Sequence, residues 1–119
     1  MVSPADETPA APGDAQPEEI DIALAIDRLQ SATSLRVDRV AHKWAGLRTF
    51  ASDRIPVTGF DPQGPGFFWL VGQGGYGIQT APGLGQAAAA LALEKDIPAA
   101  IADSGLRSGD LSPARLRSR

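Results

Sequence analysis

Apolar and polar positions change their period several times along the chain, and each change marks a predicted element. From residue 20, Ile22, Ile26 and Leu29 recur at i, i+4 and i+7, with Ile20 and Leu24 one strip over, while Asp21, Asp27, Arg28 and Gln30 are left for solvent. Pro17 suits a first helical turn because its missing N–H is not needed there. Glu18 and Glu19 bring negative charge to the positive end of the helix dipole. The spacing predicts a helix over 18–32. The period then drops to two in Leu35-Arg36-Val37-Asp38-Arg39-Val40-Ala41-His42, the pattern of a half-buried strand that Trp44 to Phe50 prolongs past a bulge at Gly46.

Two further apolar runs, Ile55 to Phe60 and Phe67 to Val71, are separated by Asp61-Pro62-Gln63-Gly64-Pro65-Gly66, a cluster of turn residues, and read as a hairpin or a short strand connection. Beyond Val71 the chain is glycine-rich, and Gln86 to Leu93 is almost pure Ala and Leu, the best helix formers. Thr80 is a candidate cap with Pro82 in the first turn, and a start nearer Tyr76 is the alternative. Ahead of the first helix, Pro4, Pro9, Pro12 and Pro17 stand among acidic residues with no basic one, which makes residues 1–17 a loop or tail. From Pro98 onward the basic residues Arg107, Arg115, Arg117 and Arg119 outnumber the apolar anchors, and a loosely packed or frayed end is expected. All seven aromatic residues lie between Trp44 and Tyr76, so the densest packing and any binding site are expected there, with Trp44 and Trp69 in the core.

Composition narrows the chemistry. The chain has no Cys and one His in 119 residues, which removes disulfide scaffolds, thiolate metal sites, cysteine nucleophiles and His-rich metal sites together. A net charge of −3 disfavours nucleic acid or an anionic membrane surface as partner. No apolar run approaches the roughly 20 residues of a spanning helix. The acidic, Pro-rich start is unlike a signal peptide, so a cytoplasmic location is expected. No metal site and no acid or base catalyst is expected. His42 is the one candidate base, but no Ser or acid is placed to orient it.

The segment Gly72-Gln73-Gly74-Gly75-Tyr76-Gly77 matches G-x-G-x-x-G after an apolar run and before a helix. Glycines let backbone N–H groups approach a ligand, and the following helix adds a positive dipole end. As a dinucleotide fingerprint the match is weak, because no further βα unit with an acidic residue follows. A free-standing phosphate binder ranks last for want of a Lys.

Four strings carry a more specific signal: Trp44-Ala45-Gly46-Leu47-Arg48-Thr49-Phe50, Gly59-Phe60-Asp61, Gly66-Phe67-Phe68-Trp69 and Gly74-Gly75-Tyr76-Gly77-Ile78-Gln79-Thr80. They resemble the C-terminal part of FAD-dependent D-amino-acid dehydrogenases and oxidases, near the D-arginine dehydrogenase and glycine oxidase branch. The resemblance runs from Ser3-Pro4-Ala5-Asp6-Glu7 to Leu111-Ser112-Pro113-Ala114-Arg115. It implies an α/β (α+β) chain, a C-terminal fragment of a two-domain, Rossmann-like FAD-binding oxidoreductase. Residues 18–60 would supply a helix and strands of the substrate domain. Residues 61–96 would supply a turn, the final strand, a flavin-facing loop and the last helix of the FAD domain, and 97–119 a tail.

By the same resemblance Arg48 binds the substrate α-carboxylate, which suits a guanidinium fork. The backbone of Gly74, Gly75, Tyr76, Gly77, Ile78 and Gln79 would lie against the flavin's pyrimidine edge, with the Gly75 carbonyl near the substrate amino group and Tyr76 within reach of substrate. The implied reaction oxidises a D-amino acid or related amine by hydride transfer to FAD, giving an imino acid and then a keto acid. The family's N-terminal fingerprint has no counterpart before Trp44, so the chain is expected to be inactive alone and to need a separate chain carrying the nucleotide-binding half. Read without the resemblance, Arg48 is a surface arginine paired with Asp53 or Asp61, the glycines are a tight turn, Tyr76 packs on the next helix, and the whole is a non-catalytic remnant or interaction module.

Overall fold

The computed structural model describes residues 1–117, which form two compact units, Met1–Leu47 and a second that begins at Arg48. The first holds one helix, α1 (Glu19–Ala32). Glu19 and Asp21 occupy its first turn, where the dipole favours negative charge, and no side chain caps it. The chain leaves the helix at Thr33, whose backbone is extended and whose hydroxyl donates to the Leu29 carbonyl at 2.8 Å. Ile22, Ile26 and Leu29 are half-buried and Ile20 is exposed, as the helical spacing requires, yet no residue of α1 is fully buried.

The strand expected over Leu35–His42 does not form, and residues 35–49 are irregular. Alternation marks a segment able to lie on a sheet, but a strand exists only when another backbone completes its hydrogen bonds. Here a side chain of α1 satisfies one backbone group, and a side-chain ion pair adds a second tie. The Gln30 side chain accepts the Val37 N–H at 3.1 Å, and Lys43 pairs with Glu19. Trp44, expected in the core, is 67% exposed.

The second unit is a mixed α/β assembly. Strands β1 (Val57–Phe60) and β2 (Phe68–Val71) form an antiparallel hairpin in the register Val57 with Val71 and Phe60 with Phe68. The connection is built as its turn residues predict. The Asp61 carboxylate accepts the Gln63 N–H at 2.7 Å, and the Asp61 N–H closes the loop on the Phe67 carbonyl at 2.8 Å.

A short 3-10 turn, Gly74–Tyr76, leads into α2 (Gly77–Ala92). The helix therefore starts at the earlier of the two expected positions. Pro82 lies inside it rather than in its first turn, and the Thr80 hydroxyl donates back to the Tyr76 carbonyl at 2.8 Å instead of capping. At the other end Glu94 takes a left-handed φ of 54°. The N–H groups of Glu94 and Lys95 reach the carbonyls of Leu91 and Ala90, which closes the helix in a Schellman pattern.

Two single-turn helices, α3 (Ala99–Ala102) and α4 (Ser108–Leu111), and a 3-10 turn at Pro113–Arg117 complete the unit. β1 packs against α2, α4 and this last turn. The core is small and aliphatic: Val57, Ala87, Ala88 and Leu111, with Thr58 fully buried among them. The aromatics frame it. Phe60 meets Phe68, and Phe67 meets Trp69, edge to face at 5.0 and 4.8 Å between centroids.

The described part of the tail is packed through Arg115, contrary to the loose or frayed end expected. Leu111 is 2% exposed and Pro113 is buried. Arg115 holds Asp53 with Nε at 2.8 Å and Nη2 at 3.2 Å, and also reaches the carbonyls of Ile55, Pro56 and Ser112. This clasp joins residues 62 positions apart. Of the arginines expected in the tail, Arg119 lies outside the described residues.

Candidate functional site

The glycine-rich turn after β2 is held from one side by the segment Arg48 to Ala51. Phe50 bridges Gln73, and the Gly74 N–H donates to the Thr49 carbonyl at 3.0 Å. The contacts at these glycines differ, and the Phe50 ring alone leaves no room for a side chain. A Cβ at Gly72 would meet the Ala51 backbone nitrogen at 3.5 Å. One at Gly74 would run into the Phe50 ring, 2.7 Å from Cδ1 and 3.0 Å from Cζ, and one at Gly75 would stand 2.5 Å from Nη1 of Arg48. Gly72 and Gly74 also take positive φ values of 72° and 54°. The motif that reads as a ligand cradle in the sequence is thus first a docking surface for residues 48–51 of the same chain.

That docking brings together two of the expected site residues, Arg48 and Gly75. Both are exposed, so the guanidinium stands at the solvent side of the loop. Tyr76 is 40% exposed and sits at the entry to α2, with its carbonyl taken by Thr80. Gly74 and Gly77 are half-buried and Gln79 is exposed. Ile78 is 89% exposed, an apolar side chain that the described chain leaves uncovered.

The electrostatics of the loop come from the backbone. No side chain caps the 3-10 turn or α2, and no acidic residue occupies the first turn of either. The start of α2 is the positive end of its dipole, where an acceptor edge carrying partial negative charge is favoured. A guanidinium against a glycine of this turn, next to such a helix start, is suited to a ligand that carries a carboxylate.

Two residues outside the expected set, Phe50 and Arg54, shape this site. Phe50 fills the space above Gly74, and the Arg54 guanidinium lies 5.5 Å from its ring centroid. Asp53 turns out to be the partner of Arg115, and Asp61 of Arg117 and the Trp69 indole, at 3.5 and 2.9 Å. The Arg115 hydrogen bonds hold the Asp53 carboxyl below the ordinary carboxylate range. The Gln63 N–H, then the Trp69 indole, do the same for Asp61. The signal that would have found Phe50 is present in the sequence only as a run of glycines whose contact partner is unspecified.

Elsewhere, His42 and Lys43 line a shallow cavity of about 250 Å³ in the first unit with Glu19, Ile22, Val40 and Ala41. Among the described residues, no three His, Cys, Asp or Glu side chains are grouped to hold a metal ion, and no helix is long and apolar enough to cross a membrane. Compared with known families, residues 1–91 of the chain match the model described as DAO, FAD dependent oxidoreductase.

Proposed function

The chain belongs to the family of FAD-dependent oxidoreductases, and on that premise we propose that it forms one wall of a site where a D-amino acid or related amine is oxidised. The observation that carries this reading is the approach of Arg48 to Gly75. An amino acid presents a carboxylate and an amine on one carbon. A guanidinium and a backbone carbonyl are the complementary pair, and Arg48 brings the first of these to the residue that carries the second.

In this reading Arg48 binds the α-carboxylate through its fork, the Gly75 carbonyl accepts from the amine, and the Tyr76 side chain hydrogen-bonds substrate. The backbone from Gly74 to Gln79 holds the pyrimidine edge of FAD, and the uncapped start of α2 favours negative charge there by about 0.3–1 kcal/mol. Ile78 excludes water from the covered face. Held by the backbone from Gly74 to Gln79, FAD would supply the hydride acceptor for the substrate Cα, and water would hydrolyse the resulting imino acid to the keto acid. We assign the ADP half of the cofactor to a separate chain carrying the nucleotide-binding part, and the assembly to the cytoplasm.

A second reading, a non-catalytic interaction module, is favoured by one observation: the space above Gly74 is already taken up by the Phe50 ring of the same chain. A titration of the full chain with FAD, alone and together with the protein encoded beside it, separates the two. Flavin fluorescence changes only in the mixture under the first reading and in neither sample under the second. In the active mixture, Arg48→Ala is expected to cost about 2–5 kcal/mol in kcat/KM for D-amino acids, and an unchanged kcat/KM removes Arg48 from the site.

A further inference from the structure

The contacts between residues 48–54 and the glycine-rich turn leave one side chain without a role in the reading above. Phe50 is half-buried outside the small aliphatic core, and its ring lies on Gly74 so closely that no Cβ fits there. Its backbone bridges Gln73, and its neighbour Thr49 accepts the Gly74 N–H. The Arg54 guanidinium lies over the same ring. Two residues earlier, Arg48 makes the next step of the same ladder onto Gly75.

We propose that Phe50 is the positioning residue that sets how far the Arg48 guanidinium stands from Gly75. The ring acts as a spacer. Packed on Gly74, it fixes how far the Arg48 segment stands from the turn, and a guanidinium displaced by a fraction of an ångström meets a carboxylate less well. Deleting the ring lets the segment sink toward Gly74 and changes the span offered to a bound carboxylate and amine. The Arg54 guanidinium over the ring restrains it against rotating away. This inference rests on the reading of Arg48 and Gly75 as substrate contacts.

The test has two arms, each comparing the full-length chain with its Phe50→Ala and Phe50→Leu variants. In the free chain, nuclear magnetic resonance reads the Arg48 Nε–H, the Gly75 N–H and the exchange rate of the Gly74 N–H. Phe50→Ala is expected to move the first two and to speed exchange at Gly74, Phe50→Leu to do the same to a smaller degree, and the methyl signals of Ala88 and Leu111 to stay in place. Should Phe50→Ala disturb those methyls as well, Phe50→Leu decides. In the FAD-loaded assembly, Phe50→Ala is expected to raise KM for a D-amino acid about tenfold while kcat stays within about threefold, with Phe50→Leu between it and the parent. Arg48 and Gly75 signals that do not move, or an active assembly whose KM is unchanged, overturn the proposal. An assembly that oxidises no D-amino acid overturns the proposed function instead, and the resonance arm still decides the spacing.

Discussion

The two units of this chain have comparable apolar patterning and very different interiors. Up to Leu47 none of the residues is buried, although α1 carries a regular apolar stripe. From Arg48 onward, β1, α2 and α4 enclose Val57, Thr58, Ala87, Ala88 and Leu111. The first unit is tied by side chains on its surface, such as Lys43 with Glu19, whose side chains are 48% and 83% exposed. The second is tied by backbone pairing and by contacts between residues far apart in sequence. A stripe at helical spacing is enough to make a helix, but a core needs several elements that close over the same residues.

Paired truncations test this contrast most severely. Leu111→Ala, at a site 2% exposed, is expected to destabilise the second unit by about 2–5 kcal/mol. Leu24→Ala, at a site 39% exposed on α1, is expected to cost under about 1 kcal/mol. Urea unfolding of both variants measures the difference, and equal losses would mean that the first unit is as well packed as the second.

A smaller effect of opposite sign is expected at Thr58. Its hydroxyl is buried with no hydrogen-bond partner in a site that a valine fills, so Thr58→Val is expected to stabilise by about 1 kcal/mol. A loss of stability would show that the hydroxyl is satisfied in solution.

The smallest expected effect is in the pH dependence. The folded Asp53 carboxyl titrates below its ordinary value of 3.8, so its contribution to stability is complete above that value and is lost as pH falls through the lower, folded one. Thermal melts taken downward from about pH 5 are expected to fall less steeply for Asp53→Asn than for the parent. Parallel slopes would remove the Asp53–Arg115 clasp as a source of acid sensitivity.

Local chemistry was readable to different depths. The helix expected over 18–32 is observed as Glu19–Ala32, and the runs ending at Phe60 and beginning at Phe67 pair across their turn as a hairpin. Each rests on neighbours in sequence: an acidic first turn, a 3.6-residue period, or an Asp that folds the loop on its own side chain. The start of α2 was less legible because Pro82 suits a first turn so well, and only packing decided that the helix would begin five residues earlier, at Gly77. Of the site, Arg48 and the turn were legible as residue types. Phe50 was not, since nothing local connects an aromatic residue with a glycine 24 positions away.

Residue order and short spacing were enough for α1, the existence of α2, the hairpin, the turn at Asp61 and the family, but not for α3 and α4. Tertiary structure alone decided three other features. Leu35–His42 remains irregular for want of a pairing strand, the tail is pinned by Arg115 to Asp53, and Gly72, Gly74 and Gly75 receive the segment that carries Arg48. A strand, an ion pair and a close backbone approach each need a second partner brought in from elsewhere in the chain, and residue order does not specify which partner arrives.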